Sequence, residues 1–164
     1  MASFLVSTSK GTQVKKLVLA KIAPMGMTAK FAQGVIDRCL IAARAENLLM
    51  NIAVVDLSGR LKAFIRDDGA WLGSVDIAQA KAFTALGFSG NQDKQGPLST
   101  EDLNKEAFNK GSLLGITDTN RRDGVVAFGG GIPLYDDQDL IGAVGVSGST
   151  VENDIKVAQA ALGE

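Results

Sequence analysis

The sequence predicts an α+β domain with an antiparallel sheet, and three observations carry that reading. Strand-like apolar runs come in two neighbouring pairs, Ile52 to Val55 with Leu61 to Ile65, and Val125 to Phe128 with Leu140 to Val146. Within each pair the connection is a turn or bend, not the helical crossover that parallel strands need. Helical patterns flank the pairs, so the order is helix, hairpin, helices, hairpin, helix.

Taken in order, residues 1–26 carry the weakest signal, since Lys15-Lys16 followed by Leu17 to Ala20 reads as a short helix or as an edge strand stopped by Pro24. A helix from Thr28 to about Asn47 is well marked: Thr28 suits an N-cap, and Phe31, Val35, Cys39 and Ala42 repeat along one face. Asp56 to Arg60 has the Asp, Ser and Gly chemistry of a hairpin turn. Ser74 is expected to cap a second helix running to about Leu86, with Asp76 in its first turn and Gly87 at its end. Residues 89–110 are polar; Gly96-Pro97 marks a loop and Ser99 to Asp102 the acidic start of a short third helix. The strand Val125 to Phe128 should break at Gly129-Gly130-Gly131, Tyr135 to Asp139 should form a polar turn, and Asp154 to Leu162 should be the closing helix.

Composition narrows the chemistry. The 164 residues include no histidine and one cysteine, which removes imidazole-dependent catalysis, histidine-bound zinc and proximal-histidine haem. The net charge of −1, with Arg121-Arg122 beside Asp118 and Asp123, supplies no footprint for nucleic acid. No apolar run is long enough for a bilayer, no leader pattern opens the chain, and a lone cysteine suits a reducing compartment, so a cytoplasmic protein with no membrane partner is expected. Cys39 falls on the apolar stripe and reads as a small core residue. Asp136, Asp137 and Asp139 lack the spacing of a calcium loop, so no metal site is expected.

Several motifs occur in a familiar sequence: Asp68-Gly69-Ala70, then Ser74-x-Asp76-Ile77-Ala78-x-x-Lys81-Ala82-x-Thr84-Ala85, then Gly129 to Leu134, then Ile141 to Gly148 with Asp154 and Ala158. Together they resemble the GlcG/HbpS-like family over roughly residues 27–162. The resemblance implies a three-layer α/β/α domain on a central antiparallel sheet of about five strands, assembled as dimers or larger homo-oligomers. It also implies kinship with haem-binding proteins, with a domain appended to corrinoid adenosyltransferases, and with small proteins of catabolic operons. Haem is thereby a candidate cofactor, but without histidine its axial ligand would have to be Met25, Met27, Met50, Cys39, Tyr135 or a lysine.

The candidate pocket combines the Asp68-Gly69-Ala70-Trp71 turn, the Ser74 to Thr84 helix and the Gly129-Gly130-Gly131-Ile132-Pro133 bend. The turn can hold an anion on free amides with Trp71 as a wall, or be an ordinary turn closed by Asp68. Lys81, with Asp76 and Thr84, is the one concentration of base, acid and hydroxyl. Desolvated, Lys81 can act as base, Schiff-base amine or anion anchor; otherwise its stem packs and its ammonium reaches solvent or Asp76. The glycine run is either a pocket wall with close backbone approach or a flexible bend. Gly142 to Thr150 lacks a phosphate-loop signature and reads as a buried strand whose glycines admit a crossing helix, followed by a turn and cap. Two functions follow: binding of a small, anionic organic ligand at these residues, or a cofactor-independent isomerase or lyase acting on a small carbonyl acid through Lys81 and Asp76.

Overall fold

The computed structural model describes residues 26–90, 98–107, 117 and 124–163. The readings made of Lys15 to Pro24, Gly96-Pro97 and Arg121-Arg122 lie outside them. The first helix, α1, spans Ala29–Ala45, with Thr28 Oγ1 accepting the Phe31 amide as its cap. Strands β1 (Asn51–Asp56) and β2 (Leu61–Arg66) form the first hairpin. Helices α2 (Ser74–Gly87) and α3 (Thr100–Ala107) follow, then β3 (Gly131–Asp136), β4 (Asp139–Ser147) and α4 (Val151–Gln159), which ends in a 3-10 turn at Ala160–Leu162.

The sheet order is β2-β1-β4-β3, and each of its three pairings is antiparallel. One face carries α1 and α4 over Ile52, Val54, Val144 and Val146, while the other carries α2 over Ala53, Val55 and Ala143. This is the expected three-layer α/β/α arrangement, with four strands among the described residues. The layers can close tightly because α2 presents Ala78, Ala82 and Ala85 to the sheet and β4 answers with glycine. A Cβ at Gly145 would lie 2.5 Å from the Ala82 amide nitrogen and would overlap the Ala78 carbonyl. At the far end, Arg38 donates to the Ala161 carbonyl through Nε at 3.0 Å and Nη2 at 2.7 Å, satisfying an acceptor that the end of a helix leaves open.

Four local expectations are corrected. Val125 to Phe128 is not a ladder strand, because its polar groups bond elsewhere: the Val126 amide donates to Thr84 Oγ1 and the Ala127 carbonyl accepts from Asn104 Nδ2. The strand begins instead at Gly131 and includes Pro133, which β3 tolerates as an edge strand bonded only to β4. The turn shortens to Asp137-Gln138, with Asp137 at φ 52°. Ser74 does not cap α2. The amides of Ser74 and Val75 already bond to the carbonyls of Trp71 and Leu72, so the chain turns helically before Ser74, which lies buried inside the helix. Finally, α4 starts three residues early, with Thr150 Oγ1 accepting the Asn153 amide.

Candidate functional site

Lys81 is wholly enclosed, with 0% of its side chain exposed, and Asp154 keeps only 3%. The lysine Nζ lies 2.6 Å from Asp154 Oδ2, donates to the Val146 carbonyl at 3.0 Å, and sits 4.7 Å from the centre of the Phe128 ring. Asp154 Oδ1 accepts the amides of Gly148 and Ser149 at 3.1 and 3.2 Å. One ion pair therefore joins α2, the end of β4 and the start of α4. Burial pushes Lys81 down and Asp154 up; the pair opposes both shifts and the two amides oppose that of Asp154, so the charged state depends on the partners staying together.

The glycine bend packs against this pair. A Cβ at Gly130, which adopts φ +115°, would come 2.9 Å from Lys81 Nζ and 3.0 Å from Asp154 Cβ. Gly131 donates its amide to Thr100 Oγ1 at 2.8 Å, and any side chain there would meet Thr100 and the backbone of Lys81. Close approach, one of the two readings of the glycine run, thus has a physical cause at Gly130 and Gly131. The outer side of the bend opens onto a cleft of about 460 Å³ between α3, β3 and α4, lined by Gly130, Gly131, Ile132, Pro133 and Tyr135 with Ser99, Glu101, Asp102, Ile155, Gln159 and Leu162.

The remaining sequence-derived site residues are dispersed. Gly69, at φ 83°, lines a separate hollow of about 200 Å³ with Ala70, Trp71, Gly148 and Ser149. Asp68 is exposed, and the bond closing that turn runs from the Ala70 amide to the carbonyl of its neighbour Asp67. Ser74 and Thr84 are buried, the latter holding Val126, while Gly129 lies under Ile155. Asp76 is exposed on another side of α2, five residues and about 140° around the helix from Lys81. The structure brings Lys81, Gly130 and Gly131 together, but not Lys81 with Asp76, nor the turn with the bend, and Thr84 holds Val126 instead.

Comparison with known proteins decides the family. Residues 27–163 match the family described as haem degrading protein HbpS-like. The chain belongs to the HbpS-like family. It is 34% identical over 154 residues to an uncharacterized 15.0 kDa protein of the dhaT-dhaS intergenic region of Citrobacter freundii, covering 94% of this chain and 95% of that one. It is 32% identical over 111 residues to the corrinoid adenosyltransferase PduO of Salmonella typhimurium, a match to 68% of this chain but only 30% of that protein. Among solved structures, the Klebsiella pneumoniae protein ORFY superposes with a TM-score of 0.74 at 30% identity, covering 96% of each chain. The haem complex of PduOC gives 0.74 at 27% identity, covering 84% of this chain and 94% of that one.

Among the described residues of this HbpS-like chain, Cys39, Met27, Met50, Lys81 and Tyr135 are not placed to ligate a haem iron. Cys39, on the inner face of α1, and Met50 are fully buried in the core, Met27 is nearly so, and Lys81 is held by Asp154. Tyr135 lines the cleft, but its hydroxyl donates to the Gly90 carbonyl at 2.8 Å and burial pushes its phenol up, away from the phenolate an iron would bind. Met25 lies outside the described residues. Among those residues no group of three or more acidic or cysteine side chains converges as a metal site, and no helix is long and apolar enough to cross a membrane.

Cys39 itself supplies a measurable consequence. Burial pushes its thiol up to about 12, so native protein at pH 8 should leave it unalkylated by iodoacetamide while unfolded protein reacts at once. Equal labelling of native and urea-unfolded samples by mass spectrometry would contradict its place on the buried face of α1.

Asp154 is the residue of this pair to which the sequence alone assigns no role, although it stands among the motifs. It lies in register with Val157, Ala158 and Ala161 on the buried face of the closing helix, as Lys81 does with Ala78 and Ala85 on α2. Opposite charges on two buried faces must find each other.

Proposed function

We propose that this chain is an oligomeric binding protein for a small organic ligand, held in the cleft between α3, β3 and α4. The observation that carries the reading is a cleft of about 460 Å³, within the range of small-molecule sites, whose glycine wall is fixed from behind by the Lys81–Asp154 pair and Thr100. The haem complex of the related PduOC domain supports a ligand-binding role. The anionic ligand expected from the sequence meets Glu101 and Asp102 and no cation among the described lining residues, so in this cleft a neutral or cationic ligand fits better. The Asp68 to Trp71 turn contributes to assembly in this reading, since Trp71 and Leu72 are 65% and 75% exposed beside each other and mark an apolar contact surface.

Lysine chemistry is the rival. The lowered Lys81 favours it, but with Asp76 on another side of α2 and Nζ sealed by Phe128 and Gly130, a carbonyl substrate has no path to the amine. Non-denaturing mass spectrometry of freshly purified protein tests the binding reading. An oligomer carrying a small organic molecule is expected, and Gln159→Trp, which fills the cleft, should lose the molecule while keeping the assembly. A bare wild-type protein, or a ligand retained equally by Gln159→Trp, would refute the proposed site; a monomeric mass would refute the assembly.

A further inference from the structure

A second cleft, of about 540 Å³, lies on the outer side of α2 beneath the turn of the first hairpin, away from the cleft just described. Its apolar floor comprises Val55, Leu61, Ala80 and Phe83, and Arg60, Asp76 and Gln79 stand around it. The backbone is shaped to make that floor. The ladder slips between Val54 and Val55, so that Val55 faces Leu61 and Lys62 is the extra residue of a bulge. In regular register Val55 would face Lys62, and an ammonium would replace the leucine. Bulges of this kind commonly re-aim side chains beside sites. Gly59, at φ +70°, lets the hairpin turn settle onto α2, since a Cβ there would press on the Phe83 ring at 3.1 Å.

The polar groups are the second half of the argument. Arg60 and Asp76 carry opposite charges on one cleft, yet no ion pair or side-chain hydrogen bond joins either to another described residue. Gln79 spends its amide nitrogen on the Val75 carbonyl at 3.3 Å, which leaves its oxygen as an acceptor. The cleft thus offers a guanidinium for a carboxylate, a carboxylate and an amide oxygen for an ammonium, and an apolar floor for a hydrocarbon group. A dianion is repelled by Asp76, and a simple amine leaves Arg60 unmatched.

We propose that the Arg60–Asp76 cleft binds a zwitterionic, α-amino-acid-like molecule with an apolar side chain. This site goes beyond the function proposed above and stands independently of it. The test is calorimetric titration of the full chain with L-leucine, compared with isocaproate, which lacks the ammonium, and isoamylamine, which lacks the carboxylate. Saturable leucine binding is expected, weakened at least tenfold in either analogue and about tenfold in each of Arg60→Gln and Asp76→Asn. Both variants change exposed side chains and should keep the wild-type circular dichroism and melting curve. Absence of saturable heat at millimolar leucine, or unchanged binding in both variants, would overturn the proposal. Isocaproate binding as tightly as leucine and indifferent to Asp76→Asn would also overturn it, by showing a plain anion site. Gln159→Trp should bind leucine like wild type; loss there would move the amino acid to the other cleft and refute this one.

Discussion

Lys81→Met is expected to lower the unfolding free energy by about 3–5 kcal/mol, the range for breaking one side of a buried ion pair. The magnitude follows from what remains. Asp154 stays enclosed with two backbone amides but no countercharge, and the Val146 carbonyl loses its ammonium donor. Asp154→Ala should cost at least as much, since it strands an ammonium with one carbonyl and a ring face and frees the Gly148 and Ser149 amides together. The double change Lys81→Met with Asp154→Ala should recover most of the loss, because two neutral side chains need no pairing. It should still fall short of wild type by about 1–3 kcal/mol for the two amides. Urea denaturation of the four proteins measures this directly, and purely additive single losses would mean that the two residues do not act as a pair.

The pH dependence has a definite sign. Lys81 is what holds the Asp154 carboxyl down against burial, so in Lys81→Met the folded-state value rises further above the ordinary 3.8. Between those values the folded protein binds more protons than the unfolded chain, and stability falls as pH rises through the window. The deficit of Lys81→Met relative to wild type should therefore shrink as the pH is lowered from neutrality toward 3.8. A deficit that stays constant with pH would place the loss in packing instead of charge.

The sequence disclosed the layers more clearly than it disclosed the site. Thr28, the stripe on α1 and the first hairpin are local signals, readable because cap, period and turn all fall within a few residues. The glycines of β4 were also legible as admission for a crossing helix, and Gly145 does lie under Ala78 and Ala82. The second hairpin was misplaced because Val125 to Phe128 has strand composition, while its hydrogen bonds are decided by Asn104 and Thr84, 23 and 42 residues away. Pro133 and the glycines disguised the true strand, whose edge position excuses the proline. Lys81 is legible as unusual, but the acid that the sequence sets nearest to it is Asp76, on its own helix. The actual partner, 73 residues on, is specified only by the packing of α2 and α4 around the end of β4.

That packing makes Gly145 a sensitive position in the sheet. Gly145→Ala is expected to cost about 3 kcal/mol or more, at the upper end for overpacking. The added methyl meets the main chain of α2 at Ala78 and Ala82, which has no rotamer through which to withdraw. Relief requires the helix to lift from the sheet. Lifting would also draw Lys81 away from Val146 and Asp154, so the packing and electrostatic losses arrive together. Gly34→Ala makes the contrast within the same protein: Gly34 sits inside α1, where a Cβ would meet only the flexible Arg38 guanidinium at 3.6 Å. There the methyl should stabilise by about 0.5–1 kcal/mol through helix propensity alone. Thermal unfolding of the two variants should move the melting temperature in opposite directions. If Gly145→Ala instead melts with or above wild type, α2 does not rest on β4 at backbone distance, and the enclosure of Lys81 that depends on that contact fails with it.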